Sequence, residues 1–238
     1  MRIATISCHV ERPLDDRAWS AFSRFQARRP GGFEIAALMR PPDATAREDE
    51  ALWLARARIA AAHGPLGHHT HWGGAAQARP VGGDPAAKVR AEAAWLRQRG
   101  LQPRFFCGGG WYMDEAVAAA LAELGYTDCT AIAFRPGYLP AGAAHLSLVE
   151  PARLRIGEAT LLELPATHSP GMAVRAALAR LPDYLHVYFH DTDLLRPYRR
   201  RALAAALTVL GRRRRPVRLD ALVAVTELAF SEASASAP

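Results

Sequence analysis

The chain is written as an alternation. From residue 2 to about residue 225, short apolar or alternating runs are separated by amphipathic stretches, with few residues between them. Strands and helices that alternate over short connections predict parallel strands with helices outside them, as an α/β barrel or a doubly wound sheet. Half of the 238 residues are apolar, enough for a sizeable core.

The first strand, "RIATISCHV" at 2–10, sets the pattern. Thr5, Ser7, His9 and Glu11 fall on one face, and Ala4, Ile6, Cys8 and Val10 on the other. "PLDD" then starts a helix over 16–29, with Asp15 or Asp16 as N-cap, and "PGG" at 30–32 ends it. Strands are predicted over 33–39, within "GPLGHHTHWGG" at 64–74, and in "QPRFFCGGG" at 102–110. Further strands are predicted in "TDCTAIAF" at 127–134, "HLSLVE" at 145–150, "ATLLELP" at 159–165 and at 183–190. Helices are predicted over 47–62 (with a cap at Thr45), 84–99, 113–125 (closed by Gly125), 169–180 and 197–211. With no linker, repeat or break in composition, residues 1–230 read as one domain. The small polar tail at 231–238 reads as disordered.

Several classes are disfavoured. No G-x-G-x-x-G follows the first strand, and "CGGGW" has no lysine for a phosphate loop. No run of about 18 apolar residues without a charge suggests a transmembrane segment. The N-terminus lacks the features of a signal peptide, so a cytoplasmic location is expected. Cys8, Cys107 and Cys129 are an odd number without metal spacing, and Cys8 and Cys129 read as buried free thiols. The net charge is +7, and Lys88 is the only lysine. The densest basic run, "GRRRRP" at 211–216, reads as a solvated helix end whose arginines face the helix dipole. No nucleic-acid-binding motif accompanies it, so nucleic acid is not an expected partner.

The chemistry-bearing residues fall at strand ends, where α/β barrels gather reactive groups. Glu11 ends the first strand. His69 and His71 stand two apart near the end of another, so in extended backbone both rings point the same way. That suits two nitrogens on one metal ion, with a carboxylate from another strand completing the site. The other reading is a hydrogen-bonded histidine cluster. His68 points the other way and reads as structural. Cys107 and the glycines at 108–110 end a fourth strand, and His190, Asp191 and Asp193 end the strand at 183–190. Asp191 and Asp193 are open to two readings, metal ligand or base on one side and helix N-cap and turn on the other. His186 reads as core and His168 as a surface turn.

Here the sequence resembles the polysaccharide deacetylases, the NodB-like carbohydrate esterases. "GPLGHHTHWGG" is similar to their second motif. "FFCGGGWYMDEAVAAALAELGYTDCTA" resembles the third, and "HVYFHDTDLL" the closing one. "ISCHVE" stands in the place of the first. The resemblance spans about 3–225 and implies a distorted (β/α) barrel of about seven parallel strands. It implies a divalent metal, zinc in the leading expectation, held by His69, His71 and Glu11. It also implies His190 as general acid, with His9 and Glu11 in the catalytic motif. Trp111, Gly109, Gly110, Cys107 and Asp191 are then the candidate substrate-binding residues, and a carbohydrate the partner. The implied reaction removes an acetyl group from an N-acetylated sugar. Two departures stand out. His9 occupies the place of the family's base aspartate, and Cys107 that of the arginine that orients it. They leave a second expectation, a catalytically silent domain that binds a glycan or a protein.

Overall fold

The computed structural model describes residues 2–235, with side chains described through residue 228. Strand β1 (Ile3–Val10) is buried along its whole length, so neither of its two faces meets solvent. Ala4, Ile6, Cys8 and Val10 pack outward against helix α1 (Asp16–Arg28), in a cluster with Trp19, Phe22 and Phe25. On the other face, the Ser7 hydroxyl meets the His186 ring at 2.8 Å. The polar face of the alternation is therefore the lumen of a barrel.

The strands after β1 are β2 (Ala36–Met39), β3 (Leu66–Thr70), β4 (Phe105–Gly108), β5 (Thr127–Asp128), β6 (Ala152–Ile156), β7 (Ala159–Glu163), β8 (Tyr184–His190) and β9 (Arg215–Pro216). Their order in the sheet is β6-β7-β5-β4-β3-β2-β1-β8. All pairings are parallel except the β6–β7 hairpin. Strand β9 adds a short parallel pairing at the start of β1. The ring closes through the chain that leaves β7. Isolated parallel bridges join Ile132 to Ala166 and His168 to Val187. Across the second, Thr167 N–H donates to His186 O at 2.8 Å and Tyr188 N–H to His168 O at 3.0 Å. Strands β1, β2, β3, β4, β5, β7 with its continuation, and β8 thus make the distorted seven-stranded parallel barrel.

Helices α2 (Glu50–His63), α3 (Pro85–Gln98), α4 (Glu115–Leu124), α5 (Pro170–Ala176), α6 (Pro197–Arg213) and α7 (Leu219–Ala235) complete the fold. Asp15 caps α1, accepting from the Arg17 and Ala18 amides at 2.9 Å. Gly125, at φ +72°, closes α4 as expected. Among the described residues no helix is long and apolar enough to cross a membrane.

Several expectations are corrected. Helix α2 starts later than 47, because Asp49 is its cap and Thr45 bonds Asp43 instead. Residues 145–150 form no strand. The partner of β7 is "ARLRI", joined to it by a tight turn with Gly157 at φ +58°. Strand β5 is short because the Asp128 carboxylate accepts from the Cys129 and Thr130 amides and turns the chain. His168 lies in the closing bridge, not in a surface turn. Helix α7 runs to Ala235, and the end of the tail expected to be disordered, residues 236–238, lies outside the described residues. The arginine run is not simply solvated. Arg213 donates to the carbonyls of Ala177 and Ala179, both at 2.7 Å, and Arg214 to Pro182 O at 2.8 Å. These arginines satisfy the backbone at the end of α5 and beyond it.

Helix α6 touches the turn after α1 backbone to backbone. A Cβ on Gly211 would stand 2.1 Å from Gly31 O. Replacing a mid-helix glycine with alanine gains about 1 kcal/mol of helix propensity, but overpacking costs roughly 1–3 kcal/mol, and here the obstacle is rigid backbone. Gly211→Ala is expected to lower the melting temperature. Gly137→Ala, with nothing within 4 Å of the new Cβ, is the control. Equal melting temperatures for the two variants would contradict this packing.

Candidate metal centre

The parallel ladder brings the ends of β1, β3, β4 and β8 to one rim. His69 pairs in register with Cys107, and His9 with His190. Glu11 and His71 are the residues just beyond β1 and β3. Backbone fixes both rings. His69 Nδ1–H donates to Cys107 O at 2.9 Å, and His71 Nδ1–H donates to Ala75 O at 2.8 Å. Because a carbonyl only accepts, each imidazole carries its lone pair on Nε2.

Both Nε2 atoms are buried and have no hydrogen-bond partner. They face one carboxylate oxygen, Glu11 Oε1, at 3.8 Å from His69 and 3.4 Å from His71. Ligand atoms of Glu11, His69 and His71 all lie within 4.8 Å of one another. Buried polar atoms without partners cost about 1–3 kcal/mol each, so two lone pairs aimed at one carboxylate call for a cation. Nδ1–H donation to a carbonyl is the usual outer-shell arrangement for a metal-binding histidine. The donor set, two imidazoles and a carboxylate, fits a divalent ion of the zinc class. Burial holds the His69 ring's pKa down at about 4, so the ring is neutral and free to ligate. Burial alone would raise the Glu11 pKa, but the net shift is downward, helped by the charge of the neighbouring His190.

His190 stands on the other side of Glu11, with its Nε2 3.5 Å from Oε1. Its Nδ1 is 3.7 Å from Asp193 Oδ2, and that same oxygen accepts the His190 amide at 3.0 Å. Burial works against the imidazolium here, but Asp193 and Glu11 prevail and raise the His190 pKa. His9 is the opposite case. Burial, then the neighbouring His69 and His190, push its pKa well below the ordinary value. Its ring stacks on His69 at 4.6 Å, and its nitrogens have no hydrogen-bond partner among the described residues.

Above these groups lies a cleft of about 260 Å³ lined by His9, Glu11, His69, Gly110, Trp111 and His190, together with Tyr138. Trp111 has φ +58°, a conformation that is strained for a bulky residue and costs of order 1–3 kcal/mol. Its indole N–H donates to the Tyr138 hydroxyl at 2.6 Å, and its ring packs on His9 and Tyr188. Trp111 is only 2% exposed, so it backs the wall and offers no open face for stacking. Tyr138, at 59% exposure, is the aromatic group a ligand would meet.

Three candidate substrate-binding residues do not reach the cleft surface. Cys107 is fully buried in the lumen. Gly109 is buried, and its carbonyl accepts the Trp72 indole N–H at 3.1 Å. Asp191 is fully buried and accepts the Arg12 and Thr192 amides at 2.8 Å. It pins the loop that carries Glu11, and burial raises its pKa to about 6. His68 and His186 are structural as expected, held by Glu92 and Ser7 at 2.8 Å.

Of the two readings offered for Asp193, the turn and cap reading describes its carboxylate, which accepts the His190 amide. The sequence reading missed two features besides Tyr138: the approach of Asp193 to the His190 ring, for which the i, i+3 spacing was the available signal, and a buried carboxyl pair. Asp128 and Glu163, paired in register on β5 and β7, are fully buried. Burial raises both pKa values, and the Glu163 carboxyl rises well above its ordinary range.

No family model matches the chain, and no curated protein matches it by sequence. Among solved structures it is similar to the 4-alpha-glucanotransferase from Thermococcus litoralis at 15% identity and TM-score 0.53, over 87% of this chain and 36% of that one. The chain thus spans about a third of the length of that enzyme. It is also similar to a family 4 carbohydrate esterase from Streptomyces lividans, solved in complex with acetate (12% identity, 88% of this chain, 86% of that one, TM-score 0.47). A candidate polysaccharide deacetylase of O-antigen biosynthesis from Bordetella bronchiseptica matches at 12% identity over 93% of this chain and 89% of that one, TM-score 0.49. At these identities the likeness is one of fold alone.

The metal centre is testable by elemental analysis. Protein exchanged into zinc and then desalted is expected to retain one ion per chain, and His69→Ala with His71→Ala to retain none. Equal retention by wild type and double variant would place the ion elsewhere.

Proposed function

We propose that this chain is a metal-dependent hydrolase that removes an acetyl group from an N-acetylated sugar or glycan precursor. The observation that carries the reading is the convergence of Glu11 Oε1 with the two unpartnered Nε2 atoms of His69 and His71, beside an imidazole, His190, whose Nδ1 lies 3.7 Å from Asp193. The resemblance of the second, third and closing motifs to polysaccharide deacetylases supports the same reading.

Glu11, His69 and His71 would hold a divalent cation, which when bound supplies Lewis acidity toward a carbonyl and lowers the pKa of water. The chain's own residues do the rest. His190 holds a proton on Nε2, on the cleft side, while Asp193 fixes the ring from Nδ1. This is the arrangement of a general acid able to protonate a departing amine. His9, neutral and with free ring nitrogens, is the group that can accept a proton from the attacking water. Trp111, Gly110 and Tyr138 bound the cleft where the sugar would lie.

A second reading is a silent domain that binds a glycan or a protein. It is favoured by one observation: Glu11 is the single carboxylate lining the cleft, so no acidic base accompanies it among the described residues.

Acetate release from a panel of N-acetylated sugars and oligosaccharides, with zinc, cobalt or nickel supplied, tests the proposal. Release that is lost in the His69→Ala, His71→Ala variant supports the hydrolase. Stoichiometric metal without acetate release supports the silent domain. Asp193→Asn removes a negative charge from beside His190 and so lowers its pKa. Activity that needs the protonated ring falls as pH rises through that pKa, so the alkaline limb of the pH profile is expected to move to lower pH, by about one unit. An unmoved limb would remove His190 from the acid role.

A further inference from the structure

We propose that the barrel lumen holds a second cation position, formed by His9, His69 and Cys107 and suited to an ion softer than zinc, such as copper(I) or cadmium. Each residue offers one ligand atom, and these atoms all lie within 4.8 Å of one another. The three side chains come from β1, β3 and β4 and lie deeper than Glu11 and His71. All are more than nine-tenths buried, with exposures of 3%, 2% and 0%. The His9 nitrogens lack hydrogen-bond partners among the described residues, and the Cys107 thiol makes a long contact of 3.9 Å to Gly108 O.

Cys107 is wholly buried and is a free thiol. On binding, the S–H bond breaks, a bond from Sγ to the ion forms, and the proton leaves to solvent. No electron is transferred. Hard, oxygen-preferring ions cannot drive that exchange, whereas thiophilic ones can. Because His69 belongs to both triads, an ion in the deeper position takes a ligand from the upper one, and the two positions compete. This inference rests on the lumen geometry and does not require the hydrolase reading.

The test is titration of the full chain, stripped of metal by chelator under reducing conditions, with cadmium chloride. The readout is the ultraviolet charge-transfer band of a cadmium thiolate. One equivalent is expected to produce the band in the wild type. It should vanish in Cys107→Ser and persist in Cys8→Ser and Cys129→Ser, the other two buried thiols. It should also persist in His71→Ala, which leaves the deeper triad whole. His9→Gln removes a ligand from a different strand and is expected to weaken cadmium binding by at least about tenfold, the lower end of what loss of an outer-shell partner costs. Circular dichroism checks that each variant is folded. No band in the wild type, a band that survives Cys107→Ser, or a band lost in folded His71→Ala would each overturn the proposal.

Discussion

Two backbone hydrogen bonds set the chemistry of this molecule. His69 and His71 each donate Nδ1–H to a main-chain carbonyl, of Cys107 and Ala75 respectively. That choice fixes the tautomer, and the tautomer leaves two buried Nε2 lone pairs with nothing to accept. The acceptor carbonyls belong to neighbouring backbone, so the parallel β3–β4 ladder and the turn after β3 hold the rings before any ion arrives. Preorganised ligands of this kind pay little ordering entropy on binding.

The remainder of the barrel positions what faces those lone pairs. Strand β1 delivers Glu11, and buried Asp191 pins the following loop through the Arg12 amide. Strand β8 delivers His190, and the turn after it returns Asp193 to the ring. The glycines after β4 let backbone come close: a Cβ on Gly109 would stand 2.5 Å from Thr70 O and 3.1 Å from the His71 ring. Asp128 and Glu163 are buried side by side, and burial favours their neutral forms by raising both pKa values. A raised carboxyl pKa means that stability present at low pH is lost as pH rises through the folded-state value.

The local signals were legible in the sequence. The alternation of "RIATISCHV" separated the two faces of β1, Asp15 and Gly125 marked helix ends, and the H-x-H spacing put His69 and His71 on one side of an extended segment. What was not legible depends on contacts between distant parts of the chain. The bridge at His168 that closes the barrel joins residues with little strand pattern of their own. Asp128 looked like part of a longer strand, yet its carboxylate caps the next two amides and ends it. Tyr138 lies in an irregular loop whose place over Trp111 no periodicity reveals. The surface of the cleft was also invisible: Cys107, Gly109 and Asp191 fall at or just after strand ends, but burial leaves them beneath the surface a ligand would touch. The two departures from the resembled motifs, His9 and Cys107, turn out to be spatial neighbours around His69.

The most direct measurement is anomalous diffraction at the zinc absorption edge, on crystals of the wild-type protein grown with zinc. The account predicts the strongest anomalous peak in the space bounded by Glu11 Oε1, His69 Nε2 and His71 Nε2. A map with no peak there at saturating zinc, or with its strongest peak among other residues, would contradict it.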